Sequence, residues 1–152
     1  MVVLSVIFLL IVAYLLGSIP SAVWIGKRYY GIDVREHGSK NAGATNTLRV
    51  LGRQAAIPVF ALDVLKGFAA VTLMSLMKYS PAVGDNLLTI FKLLAVVAAV
   101  LGHIFPIFAD FRGGKGVATL VGSVVAIAPS VIMLCFGVWL VIFILFNYVS
   151  LA

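Results

Sequence analysis

Residues 117–146 read VATLVGSVVAIAPSVIMLCFGVWLVIFILF, thirty consecutive positions without one charged side chain. A helix needs about 20 apolar residues to cross the hydrocarbon core of a bilayer. The stretch is therefore long enough to enter lipid and too long for one comfortable helix. The Ala128-Pro129-Ser130 break divides it into a short helix over about 117–128 and a longer one over about 130–146. A turn at Pro129 returns Tyr148-Val149-Ser150 to the side where the run begins, and a kink leaves it on the opposite face. The turn is the expected arrangement.

Working outward, three more apolar runs precede this one, over about 2–25, 55–77 and 87–101. The first is interrupted by Gly17-Ser18 and Pro20-Ser21; it lacks a basic n-region and an A-x-A-like cleavage site, and so reads as a retained helix rather than a signal peptide. The chain of 152 residues is 63% hydrophobic and only 11% charged, with a mean hydropathy of +1.19. Soluble domains carry about 25% charged residues. The fold expected is all-α: a polytopic integral membrane helical bundle of four to five membrane segments, forming one domain over 1–152, without internal repeat or low-complexity tract. Cys135 is the only cysteine and lies in an apolar run, which rules out an internal disulfide and disfavours a reactive thiolate.

The formal charge is +6, from 11 basic and 5 acidic side chains. The cations lie in loops beside apolar runs, which suits lipid headgroups or a phosphorylated substrate and not nucleic acid. Lys27, Arg28, Arg35, Lys40, Arg49 and Arg53 occupy the first polar segment, and Arg112 and Lys115 the second. By the positive-inside rule both segments face the cytoplasm and the N-terminus faces out.

Two loops hold most of the polar chemistry: HGSKNAGATNTLR, residues 37–49, and GHIFPIFADFRGGKGVAT, residues 102–119. Lipid tolerates such groups only where they are satisfied or meet water. In the second loop Gly113-Gly114-Lys115-Gly116 leads into a helix starting near Val117. Glycines let backbone N–H groups turn toward an anion, the helix N-terminus adds its positive end, and Lys115 adds a charge. Gly116 follows the lysine where a Walker A loop needs Ser or Thr, so an NTPase loop is not supported. The alternative is a plain interhelical loop with a snorkelling lysine. In the first loop a helix starting near Ala44 puts Thr45 and Arg49 on one face at i,i+4, where arginine offers bidentate contacts to phosphate; helix capping is the competing role for the hydroxyls and amides.

His103 closes the third apolar run, and His37 lies in the first loop. Asp63 and Lys66 stand at i,i+3 inside the second run, an expected mutually neutralising pair. Five acidic residues with no carboxylate or His/Cys cluster argue against a metal site. They also argue against metal-dependent headgroup transferases. The seven-residue spacing from His103 to Asp110 excludes the H-x4-D motif of thioester-using acyltransferases.

At these residues the chain resembles a known family. Ser39–Arg49, Gly102–Thr119 and Tyr148-Val149-Ser150-Leu151-Ala152 are similar to the three signature segments of the acyl-phosphate:glycerol-3-phosphate acyltransferases (the PlsY family). Tyr14-Leu15-Leu16-Gly17-Ser18-Ile19-Pro20 and Leu62-Asp63-Val64-Leu65-Lys66-Gly67 also look like that family. The resemblance implies a bacterial inner-membrane enzyme that moves a fatty acyl group from acyl-phosphate to the 1-hydroxyl of glycerol 3-phosphate, giving lysophosphatidic acid without acyl-CoA, cofactor or metal. Carried over by position, Ser39, Asn41, Gly43, Thr45, Asn46 and Arg49 bind substrate and take part in catalysis. His103, Arg112, Gly113, Gly114 and Lys115 bind phosphate, and Ser150 is the third motif's serine. The candidate catalytic residues are thus Ser39, Arg49, His103 and Lys115; the candidate substrate-binding residues are Asn41, Gly43, Thr45, Asn46, Arg112, Gly113, Gly114, Gly116 and Ser150. The proton acceptor is either His103 or a substrate phosphate oxygen. The expected partners are acyl-phosphate, glycerol 3-phosphate and membrane lipid. The family's helices continue past the position of Ala152, so little acyltransferase activity and lower heat stability are expected of the 152-residue chain alone. The competing classes are a small anion or phosphate-ester transporter, which normally shows repeats and midplane polar groups, and a non-catalytic lipid-binding subunit.

Overall fold

Proline and glycine set most of the helix ends. In the computed structural model, which describes residues 1–146, helix α1 runs over Val2–Gly17 and α2 over Ser21–Tyr30. The break between them falls at Ser18-Ile19-Pro20, because proline has no N–H to continue the ladder. The first apolar run is thus two helices, not the single one expected over 2–25. α2 buries Ala22, Val23 and Gly26 and stops at Gly31, which takes the left-handed conformation (φ 66°) that glycine adopts without steric cost.

Helix α3 spans Ala44–Leu51 and α4 spans Arg53–Met74, with Gly52 between them at φ 84°. A 3-10 turn over Ser75–Tyr79 follows. Helix α5 covers Asp85–Ile104, α6 Val117–Ile127 and α7 Pro129–Phe146. No strand occurs among the described residues. Residues 2–30, 53–79, 85–109 and 129–146 are each long and apolar enough to cross a membrane. α6, at 11 residues, rises only about 16 Å and cannot.

Ala128 separates α6 from α7 with φ −145° and ψ 76°, so the long apolar run is two helices meeting at the Pro129 break. α7 buries none of its residues, and Cys135 on it is exposed. The return of residues 148–150 to the loop side, and Ser150 itself, lie outside the described residues.

Helices pack in membranes through small residues that let backbones approach, and two reciprocal glycine pairs do so here. A Cβ on Gly67 of α4 would overlap the Thr119 carbonyl of α6, and one on Gly122 of α6 would overlap the Val64 carbonyl of α4. Gly17 of α1 and Gly102 of α5 stand in the same relation to Ala99 and Tyr14. The core between α1, α4 and α5 is likewise small-residue: Ala13, Ala70, Val71, Ala95 and Ala99 are buried, with Met74 among them. This close packing brings the start of α6 against the middle of α4 and the end of α5, where the polar residues collect.

Candidate active site

The first loop is shaped from inside by Asn46. Its side chain is almost fully buried: Oδ1 accepts from the Ser39 N–H at 2.8 Å, and Nδ2 donates to the carbonyls of Val34 at 2.7 Å and His37 at 3.1 Å. With amide oxygen and nitrogen both engaged, Asn46 holds the loop's backbone.

The second loop folds back on the end of α5. Asp110 and Phe111 both take positive φ, 55° and 56°, and the chain then returns beside the helix. The N–H of Gly113 donates to Ile104 O and that of Gly114 to His103 O, each at 3.1 Å, while Gly113 O accepts from the Ala42 N–H at 3.3 Å. The glycine amides expected to cradle an anion are therefore used within the protein. What requires glycine is proximity: a Cβ on Gly114 would collide with Nε2 of His103, and one on Gly113 with the His103 carbonyl.

Arg35 fastens the two loops together. Buried at 7% exposure, it donates from Nε and Nη2 to the Asp33 carboxylate at 3.0 and 2.8 Å, and from Nη1 to Ala109 O at 2.7 Å. Asp110 Oδ2 lies 3.8 Å from Nη1, and Lys27 Nζ lies 3.1 Å from Asp33 Oδ2. The guanidinium's hydrogen bonds hold the Asp33 carboxyl well below the usual carboxylate range, and the same bond raises the Arg35 pKa.

Between the loops opens a cavity of about 350 Å³. Its wall carries Ser39, Asn41, Gly43, Thr45, Asn46 and Arg49 from the first loop and α3, and Lys115, Gly116, Val117 and Ala118 from the start of α6. Phe60 and Asp63 of α4 and His103 of α5 complete it. Thr45 and Arg49 thus share the helix face expected of them. Arg112, Gly113 and Gly114 do not line it, and Arg112 is exposed. His37 also lies elsewhere; it is exposed, with Nδ1 3.2 Å from Asp33 O.

The floor of the cavity is a buried polar cluster that crosses four helices. Asp63 Oδ1 accepts from Lys66 Nζ at 2.9 Å and from Ser21 Oγ at 3.1 Å, and stands 3.6 Å from His103 Nδ1. Lys66 also donates to Ile19 O at 2.7 Å, a carbonyl presented by the break before α2. Thr119 Oγ1 lies 3.2 Å from His103 Nδ1. All five side chains are buried. Sequence spacing indicated the Asp63–Lys66 pair; it gave no sign that His103, Thr119 and Ser21 join it, since those contacts are tertiary.

The cavity offers two cations, Arg49 and Lys115, together with hydroxyl and amide donors, beside the first turn of α6. The N–H groups of Val117 and Ala118 have no protein partner among the described residues and add the positive end of a helix. Such a wall suits an anion bearing several oxygens.

Comparison with known proteins agrees with this chemistry. A family model described as glycerol-3-phosphate acyltransferase matches residues 7–152. A glycerol-3-phosphate acyltransferase of Chlorobium phaeobacteroides is 43% identical over 152 residues, 98% of this chain and 65% of its own length. One of Enterococcus faecalis is 51% identical over 127 residues, 84% of this chain and 55% of its own length. The chain therefore spans less than two thirds of either relative. Two crystal structures of PlsY, an integral membrane glycerol 3-phosphate acyltransferase, superimpose on 97% of the chain. The glycerol 3-phosphate form has a TM-score of 0.75 at 46% identity, covering 70% of that protein. The lysophosphatidic acid form has 0.72 at 45% identity, covering 69%. With four apolar elements of spanning length, this likeness makes the chain a multi-pass membrane protein.

Proposed function

The chain belongs to the glycerol-3-phosphate acyltransferase family, and from that premise we propose that it transfers a fatty acyl group from acyl-phosphate to the 1-hydroxyl of glycerol 3-phosphate, at the bacterial inner membrane, with the N-terminus outside and both loops in the cytoplasm. The observation that carries this reading is the meeting of Arg49, Lys115 and the open first turn of α6 in one cavity. Acyl-phosphate is already an activated mixed anhydride, so no acyl-enzyme is required. The protein's task is to hold two phosphorylated substrates together and aim a hydroxyl at the acyl carbon. The hydroxyl oxygen attacks that carbon, the acyl carbon–oxygen bond to phosphate breaks, and phosphate leaves with the electron pair. The hydroxyl proton passes to His103 or to a phosphate oxygen.

Ser39, Asn41 and Thr45 orient the substrates as neutral hydrogen-bond partners, and Gly43 and Gly116 keep the wall free of side chains. Arg49 and Lys115 neutralise phosphate oxygens, each charge-assisted hydrogen bond contributing about 1.5–3 kcal/mol. The lysine at Asp63 matters here too, since an unneutralised carboxylate under the cavity would repel the same anions. The test is product analysis: the full-length protein in lipid nanodiscs should form lysophosphatidate from palmitoyl-phosphate and glycerol 3-phosphate and be inert with palmitoyl-CoA. Equal rates with the thioester, or no lysophosphatidate at all, would overturn the assignment.

A further inference from the structure

The second loop leaves α5 well below the level at which α4 begins. His103, next to last in α5, has Nδ1 3.6 Å from Asp63 Oδ1, and Asp63 follows Arg53, the first residue of α4, by about 15 Å of helix rise. The start of α2 fixes the same level from another side. Ser21 Oγ donates to the Asp63 carboxylate at 3.1 Å, and Trp24, one helical turn further on, sets its ring 6.5 Å from that of Phe108. From there α2 climbs toward α3, where a Cβ on Gly26 would reach Leu51. The stretch from Phe105 to Arg112 therefore lies deeper than Arg53 and Gln54, the polar start of α4 that marks the headgroup level.

Its surface and its backbone both fit that depth. Phe105, Ile107, Phe108, Phe111 and the neighbouring Trp24 are 48–57% exposed, far more apolar surface than a connection in water needs. The N–H groups of Phe105, Ala109, Phe111 and Arg112 donate to carbonyls of Leu101, Pro106 and Ala109. Two of the loop's carbonyls receive side chains from elsewhere: Phe105 O accepts from the Tyr14 hydroxyl of α1 at 2.8 Å, and Ala109 O from Arg35 at 2.7 Å. Water would satisfy those carbonyls without help, whereas irregular backbone in lipid must be satisfied inside the protein. The Asp110 side chain, 87% exposed, and the exposed Arg112 keep the tip polar, which excludes the hydrocarbon centre. Such a mixture suits the boundary between headgroups and acyl chains, where aromatic rings concentrate and an apolar face reaches about 5–10 Å inward. Lys27, Arg28 and Arg112 add charge that complements an anionic leaflet.

We propose that the Phe105–Arg112 connection, with Trp24 of α2 beside it, is seated in the bilayer at the boundary of headgroups and acyl chains on the loop side of the membrane, its phenylalanines against lipid and Asp110 and Arg112 among the headgroups. For the reaction proposed above, this brings the wall bearing Lys115 to the level of the carboxyl end of a membrane-borne acyl chain. That consequence rests on the acyl-transfer reading; the seating itself does not.

The chain has only two tryptophans, Trp24 and Trp139, so the full-length protein with every other tryptophan replaced by phenylalanine gives a single emitter at position 24, and adding Trp24→Phe with Phe111→Trp moves it into the loop. In nanodiscs, both emitters should be quenched at least twice as strongly by phospholipid brominated near the carboxyl end of its chains as by phospholipid brominated near the terminal methyl. Aqueous iodide should quench both at least threefold less than a Glu36→Trp emitter in the same background. Phe108→Asp should raise the iodide quenching of Trp24 at least twofold. Iodide access equal to that of the Glu36→Trp emitter would place the loop in water, stronger quenching from the methyl end would place it in the hydrocarbon centre, and protection from both quenchers would mean that protein covers it; each overturns the proposal. Trp24 is native, so its reading stands even if the loop variants do not fold. A loop seated as proposed in a protein that forms no lysophosphatidate would refute the function and leave the seating intact.

Discussion

Arg35 Nη1 donates to the carbonyl oxygen of Ala109 at 2.7 Å and so ties the first polar loop to the second across 74 residues of sequence. The bond is made by a guanidinium whose other edge is gripped by Asp33. Together they fix the spacing of the cavity's two polar walls, one carrying Arg49 and the other Lys115.

Arg35→Ala should therefore be costly although the side chain touches no part of the cavity. It removes hydrogen bonds to a charged group worth about 1.5–3 kcal/mol each and leaves Asp33 with Lys27 and the backbone N–H of residue 35. We expect a stability loss of about 2–3 kcal/mol and a fall of about tenfold in kcat/KM. Arg35→Lys should recover only part of both, since lysine lacks the planar fork. Thermal unfolding in detergent, with kinetics on the same preparations, checks this; an alanine variant that melts with the parent would show that the loops do not depend on the clasp.

The same clasp makes stability pH-dependent on the acid side. Asp33 has a folded-state pKa depressed below its ordinary 3.8, chiefly by the Arg35 hydrogen bond. A depressed carboxyl contributes stability that is fully present above the unfolded value and lost as pH falls below it. Arg35, raised above the ordinary arginine value by the Asp33 hydrogen bond, keeps its contribution throughout this range. The difference in Tm between the parent and Asp33→Asn should hold steady from about pH 8 to 5 and narrow below about pH 4. A difference independent of pH down to 3 would mean that the Asp33 charge does not stabilise the fold.

Local features of this site were legible in the sequence, and tertiary ones were not. The glycine before Ala44, the proline at 129 and the lengths of the apolar runs announce helix ends directly, because backbone chemistry acts on near neighbours. The i,i+4 relation of Thr45 and Arg49 is likewise a property of one helix. Lys66 could be paired with Asp63 by spacing, yet His103 is 40 positions from Asp63 and reaches it only because α5 and α6 both pack on α4. Gly113 and Gly114 carry the composition of an anion loop, but composition does not reveal that their N–H groups close on α5. The partners of Asn46 are hidden in the same way, since they are fixed only by the folded loop. The break at Pro20 was visible as a run of polar residues, while its use in presenting the Ile19 carbonyl to Lys66 was not.

The proposed orientation is tested by thiol labelling, and the structure selects the positions. Gly38 and Gly113 are poor sites for cysteine: Gly38 has φ 59° and a Cβ there would press on Asn46, while one on Gly113 would overlap the His103 carbonyl. Glu36, just before the first loop, and Arg112, in the second, are exposed, and Gly84 has open space around it at the other end of α5. In a Cys135→Ala background, Glu36→Cys and Arg112→Cys should resist an impermeant thiol reagent in intact cells, and Gly84→Cys should react. The reverse pattern would place the loops outside and contradict the positive-inside reading.

Arg49 and Lys115 carry the heaviest demand in the proposed reaction, because charge on the leaving phosphate grows as its bond to the acyl carbon breaks. A cation fixed beside that oxygen is worth more in the transition state than in the ground state, and only that difference accelerates the step. Arg49 projects from α3, behind Gly43, and Lys115 from the loop that Arg35 fastens, so each reaches the cavity from a separate wall. Arg49→Ala and Lys115→Ala should each lower kcat/KM by two orders of magnitude or more, on the order of 3 kcal/mol, with Tm within a few degrees of the parent because both side chains are exposed. Arg49→Lys should recover less than Lys115→Arg, since a bidentate fork is lost in the first and a point charge is retained in the second. Steady-state kinetics with palmitoyl-phosphate, varying glycerol 3-phosphate, separates lost binding from lost chemistry. Near-parental kcat/KM in both alanine variants would show that these are ordinary snorkelling charges at the membrane surface.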